Sequence, residues 1–261
     1  MKSFLRIVLS VYGYAVFYLG LFWFGLLSLL WTLFAVVLQP LLPREVGRPL
    51  GRFVIMAGFR FFLGCLKLSG RFRFDLKELD ALRHEKSLII APNHPSLWDA
   101  VLIVSRLPDV ACIMKATVIN NIFLGAGARL ARYIRNESLR RMIMLAVQDL
   151  QRGSHLLLFP EGTRTVRQPI GPLKGSIGVI ANRAKAQVQT VFIETDSRFL
   201  TKGWPVYKKP VLPMYYRVRL GRRFEAPADS AAFMTELEQY FVSELGDHAE
   251  PARAREPQTV G

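Results

Sequence analysis

The sequence predicts an α/β domain that follows an N-terminal membrane-embedded helical segment. Downstream of residue 70, short apolar runs typical of buried strands alternate with longer segments of helical periodicity, an order typical of α/β domains. Upstream, residues 7–42 contain no charged side chain, and this run exceeds the roughly 20 apolar residues that cross a bilayer. We therefore expect membrane-anchoring helices at 1–69, the α/β domain at 70–246 and a disordered tail at 247–261.

The composition limits the classes of partner. A formal net charge of +15 in 261 residues favours nucleic acid, anionic lipid headgroups, or an acidic substrate or carrier protein. No recognised nucleic-acid-binding motif occurs in the sequence, so we expect a membrane surface and no nucleic acid. Cys65 and Cys112 are far apart and match no metal-ligand spacing, which predicts reduced thiols and no metal site.

The uncharged run at 7–42 is long enough for one tilted helix or for two short helices. It is too long for a secretory signal, and no clear cleavage site follows it. Because basic residues flank both ends, the positive-inside rule gives no orientation for a single span. A re-entrant hairpin with both ends on the cytoplasmic face fits this distribution. The flanking residues are Lys2 and Arg6 before the run, and Arg44, Arg48 and Arg52 after it.

Residues 53–68 are mostly apolar but carry Arg60 and Lys67. One interpretation is an interfacial amphipathic helix, with aromatic rings among acyl chains and cations reaching the headgroups. The other interpretation is a core helix of the α/β domain. The sequence leaves both open.

Within the α/β domain, each element is predicted from its periodicity and its flanking residues. A strand at 71–76 is indicated by charged residues that alternate with Phe72 and Phe74, and a helix at 137–152 by the Gly153 that follows it. The other predicted strands are 87–91, 110–114, 133–135, 155–159, 188–194 and 213–224. The other predicted helices are 97–106, 120–132, 173–185 and 230–245.

His94 lies at the strand-to-helix turn after the predicted strand at 87–91, and Asp99 follows five residues later. Pro95 suits the start of a helix and Asn93 suits its cap, so the chain can fold the two side chains together. A carboxylate on one imidazole nitrogen fixes the tautomer and makes the other nitrogen a better base. The pair therefore predicts a general base, and the N–H groups of the helix start are candidates for stabilising an oxyanion. By itself, this spacing favours a structural histidine over a catalytic one.

The segment Phe159-Pro160-Glu161-Gly162-Thr163-Arg164 follows another buried-strand run. Arg164 offers a fork of donors suited to a phosphate, and the Thr163 hydroxyl and the Gly162 backbone can add hydrogen bonds. Glu161 can hold Arg164 in place or bind an acceptor hydroxyl. The alternative is that Glu161 and Arg164 form a surface ion pair at a helix start.

In this order, the two segments resemble the first and third motifs of the glycerolipid acyltransferase family, whose best-known members acylate lysophosphatidic acid. The resemblance covers residues 70 to 225. It implies a glycerol-3-phosphate acyltransferase-like αβ fold and O-acyltransferase activity. It also implies that His94 and Asp99 catalyse, and that the acceptor phosphate is bound by Glu161, Gly162, Thr163 and Arg164. Because no Ser or Cys stands in a nucleophile elbow, we expect direct transfer without a covalent intermediate.

The family's other motifs are only partly present. Thr117 and Ile122 stand where the middle motif usually has Glu and Pro, and residues 188–191 lack the usual prolines of a later strand motif. These departures fall on the acceptor side. The further substrate-binding residues that the resemblance implies are Lys115, Arg135 and Lys174.

Residues 189–195, followed by Gly203-Trp204-Pro205, look like the acyltransferases associated with bacterial aryl polyene (xanthomonadin-like) pigments. That subfamily would acylate a lipid anchor with an aryl polyene or fatty acyl chain. In either case the resemblance implies no cofactor, an acyl-CoA or acyl-carrier-protein thioester as donor, and the bacterial inner membrane with the catalytic domain on the cytoplasmic side. A non-catalytic membrane lipid-binding scaffold is the alternative of another class.

Overall fold

The computed structural model describes residues 2–166 and 169–247. Every predicted strand and helix of the α/β domain is present, with ends shifted by a few residues, whereas residues 248–261 of the predicted tail lie outside the described residues. The helices are α1 (Lys2–Leu41), α2 (Arg44–Leu68), α3 (Asp99–Val104), α4 (Ala116–Ile119), α5 (Gly125–Leu130), α6 (Leu139–Gln151), α7 (Ser176–Ala184) and α8 (Ser230–Asp247). The strands are β1 (Phe72–Asp75), β2 (Ile89–Pro92), β3 (Val110–Met114), β4 (Ile134–Arg135), β5 (His155–Leu157), β6 (Val188–Thr195) and β7 (Met214–Phe224), and a 3-10 helix (Lys77–Leu82) follows β1.

The seven strands form one mixed sheet in the order β1-β7-β6-β2-β5-β3-β4. Five neighbouring strands are mutually parallel, namely β6, β2, β5, β3 and β4. β7 pairs antiparallel with β6, and β1 pairs parallel with β7. The carboxyl ends of β2, β5, β3 and β4 therefore lie side by side on one edge. Ligands of α/β sheets commonly bind at such an edge.

Helices cover both faces of the sheet, which explains why its strands are apolar on both sides. Successive residues of β2 point to opposite faces. Ile90 packs in one buried cluster with Leu102 of α3, whereas Ile89 and Ala91 pack in a second cluster with Ile177 of α7. The sheet is thus the middle of three layers.

The uncharged N-terminal run forms a single helix. α1 is continuous over 40 residues, and at 1.5 Å per residue it is about 60 Å long. The alternative of two short helices within residues 7–42 is therefore wrong. The hairpin is instead formed by α1 and α2 around the turn at Leu42 and Pro43. Both helices are long and apolar enough, by length and composition, to cross a membrane.

α1 lies along the α/β domain over most of its length. Near its start, the Lys209 ammonium lies over the Tyr14 ring, 4.7 Å from the ring centroid. Near its end, the Thr32 hydroxyl donates to the Phe123 carbonyl at 2.9 Å, in the loop between α4 and α5. The face turned away from the domain exposes apolar side chains, among them Leu19, Phe22, Leu33, Phe34 and Val37.

α2 begins at Arg44, earlier than the predicted start at residue 53, and it has two different faces. One face is buried in the domain core through Phe62, Leu63 and Leu66. The opposite face exposes Phe53 and Phe61. The core-helix interpretation therefore describes one side of α2, and the interfacial interpretation can apply only to the other.

Arg52 joins α2 to the α/β domain. Its side chain is only 1% exposed and forms ion pairs with Asp109 at 2.8 Å and Asp149 at 2.9 Å. It also donates to the Ser154 hydroxyl at 2.9 Å and to the Ala131 carbonyl at 3.0 Å. Asp109 and Ser154 directly precede β3 and β5, so this one guanidinium ties α2 to the amino edge of the sheet.

Two neighbours of Arg52 complete this junction. Arg48 donates to the second oxygen of Asp149 at 3.2 Å. Gly51 is needed because a Cβ there would lie 2.7 Å from the Ala131 nitrogen. From the sequence, Arg48 and Arg52 are predicted only as cations that flank a membrane segment. Their burial in an ion cluster overturns that interpretation.

We expect Arg52→Ala to lower the free energy of unfolding by about 3–5 kcal/mol, because it removes the buried guanidinium that pairs with Asp109 and with the buried Asp149. Thermal unfolding of the detergent-solubilised protein measures this loss. Arg44→Ala is the control, since Arg44 is exposed at the start of the same helix and should change stability by less than about 0.5 kcal/mol. Equal effects of the two variants would contradict a structural role for the cluster.

Candidate active site

His94 and Asp99 are in direct contact, as their spacing predicts. Nδ1 of His94 lies 2.8 Å from Oδ2 of Asp99. The Asp99 side chain is fully buried, whereas 14% of the His94 side chain is exposed. Because the carboxylate accepts the Nδ1–H, the lone pair of the imidazole resides on Nε2, the nitrogen left for a substrate.

The turn that joins them differs from the prediction. α3 begins only at Asp99, and residues 94–98 form the turn before it. Ser96 holds this turn together, because its N–H donates to Oδ2 of Asp99 at 2.8 Å and its hydroxyl donates to the Phe199 carbonyl at 3.1 Å. Ser96 is fully buried and also accepts from the Trp98 N–H, so it has a structural role and is not a candidate nucleophile.

Two expectations for this turn are wrong. Asn93 does not cap the helix; its side chain bonds to both the N–H and the carbonyl of Ile193, at 2.7 Å and 3.1 Å, and so fixes the end of β2 to β6. The N–H groups of residues 96 to 99 are not free for an oxyanion. They donate to Asp99, the Leu200 carbonyl, the Ser96 hydroxyl and the Ser96 carbonyl, respectively.

Asp99 is held in a site that disfavours its charge. Burial raises the pKa of Asp99 above its ordinary value, although the bonds from His94 and the Ser96 N–H and the charge of Arg164 favour the carboxylate. Its second oxygen, Oδ1, is buried and accepts no hydrogen bond from the residues that the structure describes. A carboxylate kept at such a cost to stability is typical of a functional site.

The segment Phe159–Arg164 folds over the histidine. The Phe159 ring stacks on the His94 imidazole with centroids 3.8 Å apart, and the Thr165 N–H donates to the His94 carbonyl at 2.8 Å. The two motifs meet because β2 and β5 are parallel neighbours and each motif follows the carboxyl end of its strand. The sequence analysis had assigned no role to Phe159 or Thr165.

Glu161 holds this loop in shape. It is 3% exposed, its Oε1 accepts from the Thr165 hydroxyl at 2.5 Å, and its Oε2 accepts from the Gly171 N–H at 2.8 Å. Since both oxygens are occupied by the loop, the predicted surface pair with Arg164 is wrong. These bonds give Glu161 a role in positioning the loop, and its direct contact with substrate stays a prediction. Gly162 is the position in the loop that needs a glycine, because its φ is +67°.

Arg164 is fixed by backbone carbonyls. Its Nη1 donates to the carbonyls of Leu200 and Thr201, at 2.8 Å and 3.0 Å. Its Nε and Nη2 form no hydrogen bond with the residues that the structure describes. The side chain is half-buried, and Thr163 beside it is also half-buried. The guanidinium is therefore oriented and retains donors for an anion.

The other predicted substrate-binding residues lie around the same sheet edge and are exposed. Lys115 follows β3, and Arg135 ends β4, where it pairs with Glu137 at 2.9 Å. Lys174 is next to the Phe159–Arg164 loop, because its N–H donates to the Pro160 carbonyl at 2.7 Å. At about 4.8 Å between neighbouring strands, Lys115 is two strands from His94 and lies at the periphery of the site.

An aromatic cluster links the site to the N-terminal hairpin. Trp98, in the His94 turn, contacts Phe62 of α2 with ring centroids 6.0 Å apart. It also packs against Phe199 at 5.4 Å and Tyr216 at 6.0 Å. The structure places Trp98 in the core cluster directly behind the catalytic turn.

Comparisons with known proteins agree with this geometry. The sequence model of the Acyltransferase family matches residues 73–194, which contain both motifs. The chain is 24% identical over 237 residues to a 1-acyl-sn-glycerol-3-phosphate acyltransferase from Pseudomonas aeruginosa, a match that covers 87% of this chain and 89% of the relative. The fold is also similar to the crystal structure of PlsC, the 1-acyl-sn-glycerophosphate (LPA) acyltransferase from Thermotoga maritima. That similarity has a TM-score of 0.62 at 17% identity and covers 99% of this chain and 100% of that chain.

The fold and the sequence matches define an enzyme class, the O-acyltransferases. Residues 73–194 of the chain match the acyltransferase family, as the two motifs imply, and the α/β domain has the predicted glycerol-3-phosphate acyltransferase-like fold.

Asp99→Asn should stabilise the fold at neutral pH while it reduces turnover. The pKa of Asp99 is higher in the folded protein than in the unfolded chain. The wild-type protein therefore loses stability as the pH rises from the unfolded-state pKa towards the folded-state pKa, because the buried group must then ionise. The asparagine cannot ionise, so its stabilising effect should be greatest at pH 7 and absent at acid pH, where both states of the wild type are protonated.

Melting temperatures of wild type and Asp99→Asn between pH 3.5 and 8 measure this difference. Asp149→Asn is the control, because it removes a carboxylate that pairs with Arg52 and should destabilise the protein at pH 7. An Asp99→Asn protein that is less stable than wild type at pH 7 would contradict the account.

Proposed function

We propose that this membrane-associated enzyme transfers an acyl group from a CoA or acyl-carrier-protein thioester to a hydroxyl of a lysophospholipid-like acceptor, with His94 as general base. The observation that carries the proposal is the 2.8 Å contact between His94 and the fully buried Asp99. It lies at the carboxyl edge of the sheet, beneath a loop that carries an oriented arginine. A base and an anion site side by side suit an acceptor that has both a hydroxyl and a phosphate.

The chemical step needs one base and no covalent intermediate. Nε2 of His94 takes the proton from the acceptor hydroxyl as its oxygen attacks the thioester carbonyl carbon. The new C–O bond forms, the C–S bond breaks, and the leaving thiolate takes the proton from the imidazolium. Asp99 keeps Nδ1 protonated and stabilises the positive charge that His94 carries between these events.

The acceptor phosphate is assigned to Arg164 and its surroundings. The donors of Arg164 that the Leu200 and Thr201 carbonyls do not occupy provide a fork for phosphate oxygens. Thr163, the Gly162 backbone and the exposed Lys174 add further donors. Glu161 supports this arrangement by bonding to Thr165 and Gly171 within the loop. The P. aeruginosa relative is named for a 1-acyl-sn-glycerol-3-phosphate acceptor, which has both a hydroxyl and a phosphate.

The donor carrier is expected on the β3–β4 side of the site. Lys115 and Arg135 are exposed there, and Arg132 is exposed just before β4. CoA and acyl carrier proteins are both anionic, and a basic rim favours their encounter. The enzyme needs no metal or organic cofactor for this reaction.

The proposed location is the inner membrane, with the α/β domain on the cytoplasmic side. α1 is about twice as long as the hydrocarbon layer is thick, yet it contacts the domain from Tyr14 to Thr32. A helix tied to a folded domain along this length fits a hairpin that enters the membrane from one side. Its exposed apolar face then contacts lipid.

A second acceptor class is supported by the departures from the family pattern at Thr117, Ile122 and residues 188–191. They favour a lipid anchor other than lysophosphatidic acid, acylated with an aryl polyene or fatty acyl chain. The non-catalytic scaffold is disfavoured, because His94, Asp99 and Arg164 are all present in a geometry suited to catalysis.

We expect His94→Ala to reduce acyl transfer by about 10²–10⁴-fold, because it removes the general base. The assay offers labelled acyl-CoA and acyl carrier protein to the purified enzyme with a panel of lysolipids. His84→Ala is the matched control, since His84 is exposed and precedes β2, whereas His94 follows the opposite end of that strand. Retained turnover in a folded His94→Ala protein would refute the mechanism.

We expect Arg164→Lys to raise the KM for a phosphate-containing lysolipid by about tenfold or more while kcat changes less. The planar guanidinium of Arg164 can donate to both carbonyls and still present a fork of donors to a phosphate, whereas a lysine ammonium cannot. Steady-state kinetics against lysophosphatidic acid and against its unphosphorylated monoacylglycerol measure this. Similar losses with both acceptors would mean that Arg164 acts on the loop and not on the phosphate.

A further inference from the structure

A groove with a volume of about 1030 Å³ runs along the exposed side of α2 and ends at Arg83, just after the 3-10 helix. The contributing positions of α2 recur every three or four residues, so they form one stripe of the helix. None of them belongs to the site around His94. The apolar lining residues are Phe53, Met56, Ala57, Phe61, Gly64, Cys65 and Leu68, and the cationic ones are Arg60, Lys67 and Arg83.

The charge of this groove has one sign. Of the residues that the structure describes, three cations line it and no carboxylate does. Arg60, Lys67 and Arg83 form no ion pair with any residue within 2–166 and 169–247, whereas the buried Arg52 on the same helix has two carboxylate partners. Cations that converge on one cavity without counter-charges are suited to an anion.

The apolar part of the groove indicates which kind of anion can bind there. Phe53 is 53% exposed, Phe61 55% and Leu68 90%. A small soluble anion would leave these side chains in contact with water, and an uncharged acyl chain would leave the cations without a partner. An amphiphile with a negative headgroup satisfies both parts.

We propose that this groove binds one anionic phospholipid as a resident ligand, at a site distinct from the acyl-transfer site. Its phosphate lies among Arg60, Lys67 and Arg83, and an acyl chain lies along Phe53 and Phe61. Arg60 and Lys67 belong to the hairpin and Arg83 belongs to the α/β domain, so one headgroup connects the two parts of the protein. The headgroup contact lies on a different side of α2 from the buried face that carries Arg52.

The groove contains a cysteine whose rate of alkylation can show whether a ligand is bound. Cys65 lines it and is partly exposed, whereas Cys112 is buried and burial raises its thiol pKa to about 12. A maleimide at neutral pH therefore reacts with Cys65 and not with Cys112. The experiment measures the alkylation rate of the full chain in neutral detergent, with added phosphatidylglycerol, phosphatidylcholine or inorganic phosphate.

We expect phosphatidylglycerol to slow alkylation at least fivefold, and phosphatidylcholine and inorganic phosphate to change it less than twofold. The triple variant Arg60→Gln/Lys67→Gln/Arg83→Gln should lose this protection, because each cation contributes about fivefold to the affinity for an anionic lipid. Its alkylation rate without lipid should match the wild type, which shows that the groove is intact.

The matched control is Arg140→Gln/Arg152→Gln/Arg183→Gln, which removes three exposed cations outside the groove and should keep the protection. Equal protection by phosphatidylcholine would overturn the proposal in favour of a purely apolar groove. Protection by inorganic phosphate alone, or no protection by any addition, would also overturn it. Acyl transfer by the triple variant in detergent should equal that of wild type, so this test is independent of the proposed reaction.

Discussion

The buried guanidinium of Arg52 is the constraint on which the arrangement of this protein depends. It joins a helix of the N-terminal hairpin to residues that directly precede β3 and β5, at the amino edge of the sheet. At the other end of the same helix, Phe62 packs on Trp98 behind the His94 turn. The hairpin is therefore part of the catalytic body, and any membrane that it enters must lie at a fixed position relative to the site.

The site itself depends on a charge that folding disfavours. Burial raises the pKa of Asp99, and one of its oxygens accepts no hydrogen bond from the described residues. The structure keeps the carboxylate through His94 and the Ser96 N–H. The buried carboxylate lowers stability but orients His94 as a base. An acyltransferase needs this carboxylate, because a neutral asparagine would not stabilise the imidazolium formed during transfer.

The sequence was sufficient for the sheet, the motif pair and the family, because strand periodicity and the spacing of His94 and Asp99 are local properties. It was not sufficient where a role depends on distant partners. Arg52 looked like a membrane-flanking cation, and Glu161 looked like a surface or substrate residue. Their actual partners, Asp149 and Gly171, are far along the chain or across a loop. The oxyanion expectation for the helix start failed for the same reason, because the Leu97 N–H bonds to the carbonyl of Leu200.

The central claim is a one-step transfer from a thioester to a lipid hydroxyl, and the most direct test follows the acyl label. The purified enzyme is given labelled acyl thioester, first without an acceptor and then with lysophosphatidic acid or another lysolipid. The account predicts no label on the protein in the first case and label in a diacyl lipid in the second. Label bound covalently to the protein, or no labelled lipid from any acceptor, would contradict it.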